Sequence, residues 1–173
     1  MRYRIEQVFS APPAEVVAAL VDRTYLETMG QLKDLGAPEV RSQTNDGLVV
    51  TQELLFRFTG KLPGAVTRVI DTAKLSWIEH DEITLRSSSC RYRMVPVHYQ
   101  RFFRCEGTWI VEPHRAGSIE GSRRVIEGDM KVNSPVPFVG GQVEKAIVSG
   151  LRERLAAEPA VFDAWRTASG SGR

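Results

Sequence analysis

The chain opens on a period of two. Tyr3, Ile5 and Phe9 alternate with Arg2, Arg4 and Glu6, which predicts a strand with one buried and one wet face. Ser10 then precedes Ala11-Pro12-Pro13-Ala14-Glu15. A serine cap, prolines in the first turn and an early glutamate predict a helix start. Val16, Val17, Leu20 and Val21 give that helix its apolar stripe, and Tyr25, Leu26 and Met29 predict a second short helix over residues 22–34, ended near Gly36.

From Ala37 to about Val132 the period returns to two, broken by turn signals at Asn45-Asp46-Gly47, Leu62-Pro63-Gly64, His80-Asp81, Val95-Pro96 and residues 114–117. An antiparallel meander is expected. Leu48, Val50, Leu54 and Phe56 share one parity, as do Phe103, Cys105, Trp109 and Val111, and both sets are expected to face one interior. The Pro63-Gly64 stretch reads as a loop over one mouth of the sheet. After Ser134-Pro135-Val136-Pro137 stops the last strand, Val139, Val143, Ile147, Leu151 and Leu155 recur every four residues and predict a long helix. Four-residue spacing drifts around a helix of 3.6 residues per turn, so the stripe suits a curved partner surface. Gly140, Gly141 and Gly150 each lower helix propensity by roughly 1 kcal/mol relative to alanine, which suggests close packing or space left for something else. Pro159 is expected to kink or restart the helix, with Phe162 and Trp165 anchoring a last short segment. The reading is one α+β domain over residues 1–168 and a flexible tail over 169–173.

Composition changes this picture little. With 23 Lys and Arg against 21 Asp and Glu in 173 residues, the net charge of +2 is too small for the field that non-specific nucleic-acid binders use. Charges interrupt the N-terminal apolar residues and no apolar run reaches spanning length, so no secretory leader or transmembrane segment is expected and the cytoplasm is the default location. Cys90 and Cys105 have no zinc or redox spacing and read as reduced, partly buried thiols.

The order of strand, two short helices, further strands and long C-terminal helix resembles the helix-grip arrangement of the START-like superfamily, also called SRPBCC. Phe9-Ser10-Ala11-Pro12-Pro13-Ala14-Glu15-Val16-Val17 resembles its strand-to-helix entry, and Val136-Pro137-Phe138-Val139-Gly140-Gly141-Gln142-Val143-Glu144 is similar to the opening of the last helix in a bacterial START-like family of unknown function. The resemblance implies a sheet of about seven strands around the last helix. It also implies a cavity that often holds a lipid, sterol, polyketide or other hydrophobic molecule. Some superfamily members are enzymes, so fold alone does not decide whether this one turns anything over.

Inward-facing Trp77, Tyr92, Phe103 and Trp109 are candidates to line such a cavity, against the plainer reading that they fill a core, and Val143, Ile147 and Leu151 offer the facing helix surface. Gln52 and Glu79 share parity with apolar neighbours and point polar groups inward, Glu79 being the one candidate acid or base for a cyclase-like step unless the strand ends beside it. His80, His98 and His114 lack metal-ligand spacing, Ser87-Ser88-Ser89-Cys90 lacks a nucleophile elbow, and Gly140-Gly141 lacks a phosphate-loop pattern, so no metal, nucleotide or other cofactor is expected. Arg86, Arg91, Arg93, Arg101 and Arg104 interleave with Tyr92, Tyr99, Phe102 and Phe103. That run reads first as an outer face balanced by Glu82 and Glu106, then as a contact for anionic lipid, and last as a nucleic-acid site. A hydrophobic small molecule is the expected partner, with an aromatase or cyclase, or a filled core acting through the basic face, as alternatives.

Overall fold

The computed structural model describes residues 1–60, 71–116, 119–133 and 139–170. The expected loop at Leu62-Pro63-Gly64, the stop at residues 134–137 and the end of the turn signal at Gly117 lie outside them. The elements are β1 (Arg2–Phe9), α1 (Pro13–Leu20), α2 (Arg23–Thr28), β2 (Glu39–Asn45), β3 (Val49–Arg57), β4 (Ser76–Thr84), β5 (Ser89–Pro96), β6 (Phe103–Ala116), β7 (Ile119–Val132) and α3 (Val139–Gly170). A single-turn 3₁₀ helix, Met29–Gln31, follows α2. The seven strands form one sheet in the order β1-β7-β6-β5-β4-β3-β2. Strands β2 to β7 are thus a meander of antiparallel neighbours, closed by β1 pairing antiparallel with β7.

The opening alternation is realised without exception, every odd position of β1 from Tyr3 to Phe9 being buried and every even one exposed. Ser10 is not the helix cap. Proline rings at 12 and 13 fix φ for a helix start, and Pro12 occupies the cap position without a side-chain bond, its carbonyl accepting from the Glu15 and Val16 N–H groups. The Ser10 hydroxyl donates instead to Asp163 on α3. Asp22 caps α2, accepting from the Thr24 N–H at 2.7 Å. The second helical region is shorter than its pattern suggests, giving way to a 3₁₀ turn before Asp34, which sits at φ 67°.

Two strand boundaries also differ. Leu48 lies in the turn before β3 and is 68% exposed, so its parity with Val50 carries no weight. His80 and Asp81 are not a turn but the middle of β4, paired with Glu53 and Gln52 on one side and Arg93 and Tyr92 on the other. The chain reverses at residues 85–88, where Ser88 at φ 49° replaces the glycine that would have announced it. His114 likewise lies within β6, opposite Gly121.

Helix α3 is continuous through Pro159 and includes Ser169 and Gly170. A proline inside a helix deprives the carbonyl four residues earlier of its N–H donor. Here that carbonyl belongs to Leu155, and the Gln7 side chain donates to it at 2.6 Å. A strand residue thus restores the bond that Pro159 removes, and the expected break is avoided. The far end of α3 is sealed by aromatics: Phe162 meets Phe9 edge-on at 5.4 Å and Tyr25 at 5.9 Å. The α3 backbone runs close to β1, β7 and α2 and, among the described residues, stands further from β4 and β5.

Candidate functional site

One row of residues crosses the inner face of the whole sheet in register: Tyr3, Gly128, Gly107, Tyr92, Asp81, Gln52 and Gln43. Its glycines are required by what lies over them. A Cβ on Gly107 would collide with the Glu127 carbonyl oxygen and stand 2.5 Å from the Tyr92 hydroxyl, so the two tyrosines fold across the glycine pair and their hydroxyls meet at 2.7 Å. On the other side Gln43 donates to Gln52 at 3.1 Å and Gln52 donates to Asp81 at 2.9 Å. Gln52 and Tyr92, both expected to orient a ligand, are therefore engaged with protein partners.

Glu79 faces inward beside Asp81, as its parity requires. Burial, and then the neighbouring Asp81, push the Glu79 carboxyl well above the usual carboxylate range. Burial likewise pushes Asp81 up, to about 6, against the Gln52 hydrogen bond that favours its charged form. The sign of the consequence follows. Raised carboxyls hold protons in the folded state that the unfolded chain, with carboxyls near 4, has released, so they stabilise the fold at acid pH and lose that contribution as pH rises through about 6. The urea midpoint is expected to be higher at pH 5 than at pH 7.5, with Asp81 alone contributing on the order of 1 kcal/mol and Glu79 adding in the same direction. Asp81→Asn should flatten the difference. A midpoint that falls on going to pH 5 contradicts the assignment.

A second polar cluster joins sheet and helix. Arg124 on β7 donates to the Gln7 amide oxygen at 2.6 Å and pairs with Glu158 of α3, which also accepts from Gln7 at 2.8 Å and from the Tyr25 hydroxyl at 3.2 Å. All its charges are matched. The Arg124 guanidinium also lies over the rings of Phe9 and Trp109, at 5.7 and 6.0 Å.

The other end of the interior is different. Trp77, Met94, Phe103, Ile147 and Leu151 pack against the core yet stay partly accessible, whereas Phe9, Tyr25, Ile83 and Phe162 are sealed. Phe56 stacks on Trp77 at 5.6 Å with 16° between the rings. Arg154 of α3 lies over Phe56 at 5.7 Å, and it is 6% exposed. Neither of its Nη atoms has a hydrogen-bond partner among the described residues, and the Trp77 indole N–H is likewise unpaired.

Of the residues singled out in the sequence, Trp77, Glu79, Phe103, Ile147 and Leu151 are partly accessible, Val143 and Trp109 are buried, and Gln52 and Tyr92 belong to the polar row. Arg124, Arg154, Glu158 and Asp81 were not anticipated. The outer face carries Arg91 and Arg104 paired with Glu82 and Glu106, while Tyr92 and Phe103 point inward and Phe102, just before β6, is 42% exposed. Two shallow depressions open on that outer face, one bordered by Thr108, Ile110 and Glu127, the other by Thr51, His80 and Glu106 and reaching Asp81, whose Oδ1 is buried without a hydrogen-bond partner among the described residues. Cys90 and Cys105 are free and buried, and burial pushes both thiols up, away from nucleophilic use. No helix among the described residues is long and apolar enough to cross a membrane.

A seven-stranded antiparallel sheet with short helices after its first strand and a long C-terminal helix along its inner face defines the helix-grip fold. Residues 4–165 match a family described as a protein of unknown function (DUF2505), and the chain belongs to that family. Among solved structures it is similar to TTHA0849 from Thermus thermophilus, with 22% identity over 98% of this chain and 99% of that one and a TM-score of 0.64. It is also similar to the Zhui aromatase/cyclase from Streptomyces sp. R1128, with 12% identity, 94% and 93% coverage and a TM-score of 0.65. The di-domain ARO/CYC BexL of the BE-7585A biosynthetic pathway matches over 94% of this chain and 45% of its own length, at 14% identity and a TM-score of 0.60. At these identities the likeness is one of fold. Comparison with curated proteins gives no match.

Proposed function

We propose that this protein binds a largely apolar small molecule between the inner face of β4–β6 and the first half of α3. The observation that carries the reading is the group of inward-facing apolar side chains, Trp77, Met94, Phe103, Ile147 and Leu151, that stay partly accessible beside a fully sealed core. A domain with a filled interior has no reason to leave that much apolar surface unburied at about 25 cal/mol per Å². The aromatase/cyclase activities named for two similar structures are compatible with an interior that takes up apolar molecules.

The test uses N-phenyl-1-naphthylamine, an uncharged apolar probe whose fluorescence rises on leaving water. Saturable binding by the wild type is expected, with loss of binding in Ile147→Trp, which fills the space. Native mass spectrometry with organic extraction checks for a ligand carried through purification. If the probe does not bind, the reading is wrong.

A second reading, a cyclase-type enzyme, is favoured by one feature: the Glu79–Asp81 carboxyl pair lies inside, with raised affinity for protons. A group of that kind can hand a proton to a bound polyketide-like molecule. It predicts that Glu79→Gln leaves probe binding intact and abolishes turnover of any substrate found by extraction.

A further inference from the structure

We propose that Arg154 anchors the carboxylate of the ligand, which makes that ligand an apolar carboxylic acid. The proposal rests on the cavity reading above and adds the headgroup to it.

The argument starts from helix spacing. Leu151, Arg154, Glu158 and Phe162 follow one another at three and four residues, so Arg154 occupies the buried stripe of α3 and cannot reach water by turning outward. A guanidinium stays charged in proteins and, when buried, is ordinarily matched by an anion. Its nearest acids do not match it. Glu158, one turn away, is taken by Arg124, Gln7 and Tyr25. Glu79 is close enough to act on Arg154 electrostatically but forms no ion pair with it. Both terminal nitrogens are therefore left without acceptors among the described residues, with the guanidinium over the ring of Phe56, which stacks in turn on Trp77.

Among the described residues, three buried donors lack a hydrogen-bond partner here, two on Arg154 and the indole N–H of Trp77, and the one unpartnered carboxylate oxygen of the interior, Asp81 Oδ1, lies on β4 and is not paired with them. A buried guanidinium without an ion-pair partner calls for a ligand that brings acceptor oxygens. Two neighbouring N–H groups of a guanidinium fork match the two oxygens of a carboxylate, and the apolar side chains around it take a hydrocarbon or aromatic body. Arg124 shows the contrast: it is equally buried and has its carboxylate in Glu158.

Dodecanoate and dodecan-1-ol, which share a chain and differ in the headgroup, are titrated as competitors of N-phenyl-1-naphthylamine at pH 7.5. The wild type is expected to favour the acid by about 10–100-fold, the range for a hydrogen bond to a charged group. Arg154→Met should bring the acid down to the level of the alcohol and leave alcohol binding unchanged. Its ligand-free urea midpoint should not fall, since it removes an unmatched buried charge. A merely structural arginine gives the opposite, a large loss of stability with the preference for acid absent in the wild type. If Arg154→Met does not fold, the wild type alone still decides: dodecanoate, and not dodecan-1-ol, should raise its urea midpoint at equal concentration. Equal displacement by acid and alcohol overturns the carboxylate site and leaves the cavity standing. A preference that survives in Arg154→Met assigns the anion elsewhere and overturns it too. Binding of neither compound, nor of the probe, overturns both readings.

Discussion

Glu158→Ala is expected to destabilise the protein by about 3–5 kcal/mol, the usual loss when one partner of a buried ion pair is removed. Glu158 is fully buried, and its carboxylate takes three partners: the Arg124 guanidinium, the Gln7 amide and the Tyr25 hydroxyl. Alanine leaves Arg124 charged at 4% exposure with only the Gln7 oxygen beside it. The damage also reaches the helix, because the same Gln7 amide holds the Leu155 carbonyl that Pro159 leaves without a donor. Urea denaturation of the variant measures the loss. Arg124→Met in the Glu158→Ala background should recover part of it, since both charges are then gone, and the coupling between the two sites is the signature of a direct pair. Losses that simply add would show that Arg124 and Glu158 act separately.

The strands and the long helix were legible because burial imposes their periods. An inward residue of β1 or β6 cannot move to the other face without exposing its neighbours, and Tyr3, Ile5, Cys105 and Trp109 keep parity accordingly. The turn between β4 and β5 was not legible. Residues 85–88 carry no glycine, proline or asparagine, and the polar pair His80-Asp81 gave a false signal because Asp81 is an inward residue whose Oδ2 accepts from Gln52 of the adjacent strand. Continuity through Pro159 depends on Gln7, which is 148 positions away from the carbonyl it satisfies, and local propensity carries no trace of it.

The candidate site was half legible for a related reason. Apolar parity placed Trp77, Phe103, Ile147 and Leu151 at the unsealed end. It passed over Arg154 and Glu158, since the helix is read there by its strict four-residue apolar series alone. The signal was present: from Leu151, steps of three and four reach Arg154, Glu158 and the sealed Phe162. Charges on the buried stripe of an otherwise amphipathic helix are costly unless matched, so their position alone marks them. One is matched by Arg124, and the other has no ion-pair partner among the described residues.

The two ends of that interior are expected to respond differently to truncation. Phe162→Ala should cost about 3–5 kcal/mol, the range for removing a buried aromatic side chain. The Phe162 ring is 1% exposed and meets Phe9, Tyr25 and Trp165 at centroid distances of 5.4, 5.9 and 6.2 Å. These contacts clamp the last turns of α3 to β1 and α2, so the void left by alanine is bounded by elements that cannot close without moving the helix. Trp165→Ala should cost less, because Trp165 is only partly buried and lies at the edge of the same cluster. Both values come from urea denaturation. Under native conditions, Phe162→Ala should still bind N-phenyl-1-naphthylamine with wild-type affinity, since the aromatic clamp lies among the sealed residues and the proposed site lies toward the partly accessible Trp77, Met94 and Leu151. Loss of probe binding in step with loss of stability would mean that the two ends are one cooperative core. Retention of binding would show that the sealed end carries the fold while the open end is free to take a ligand.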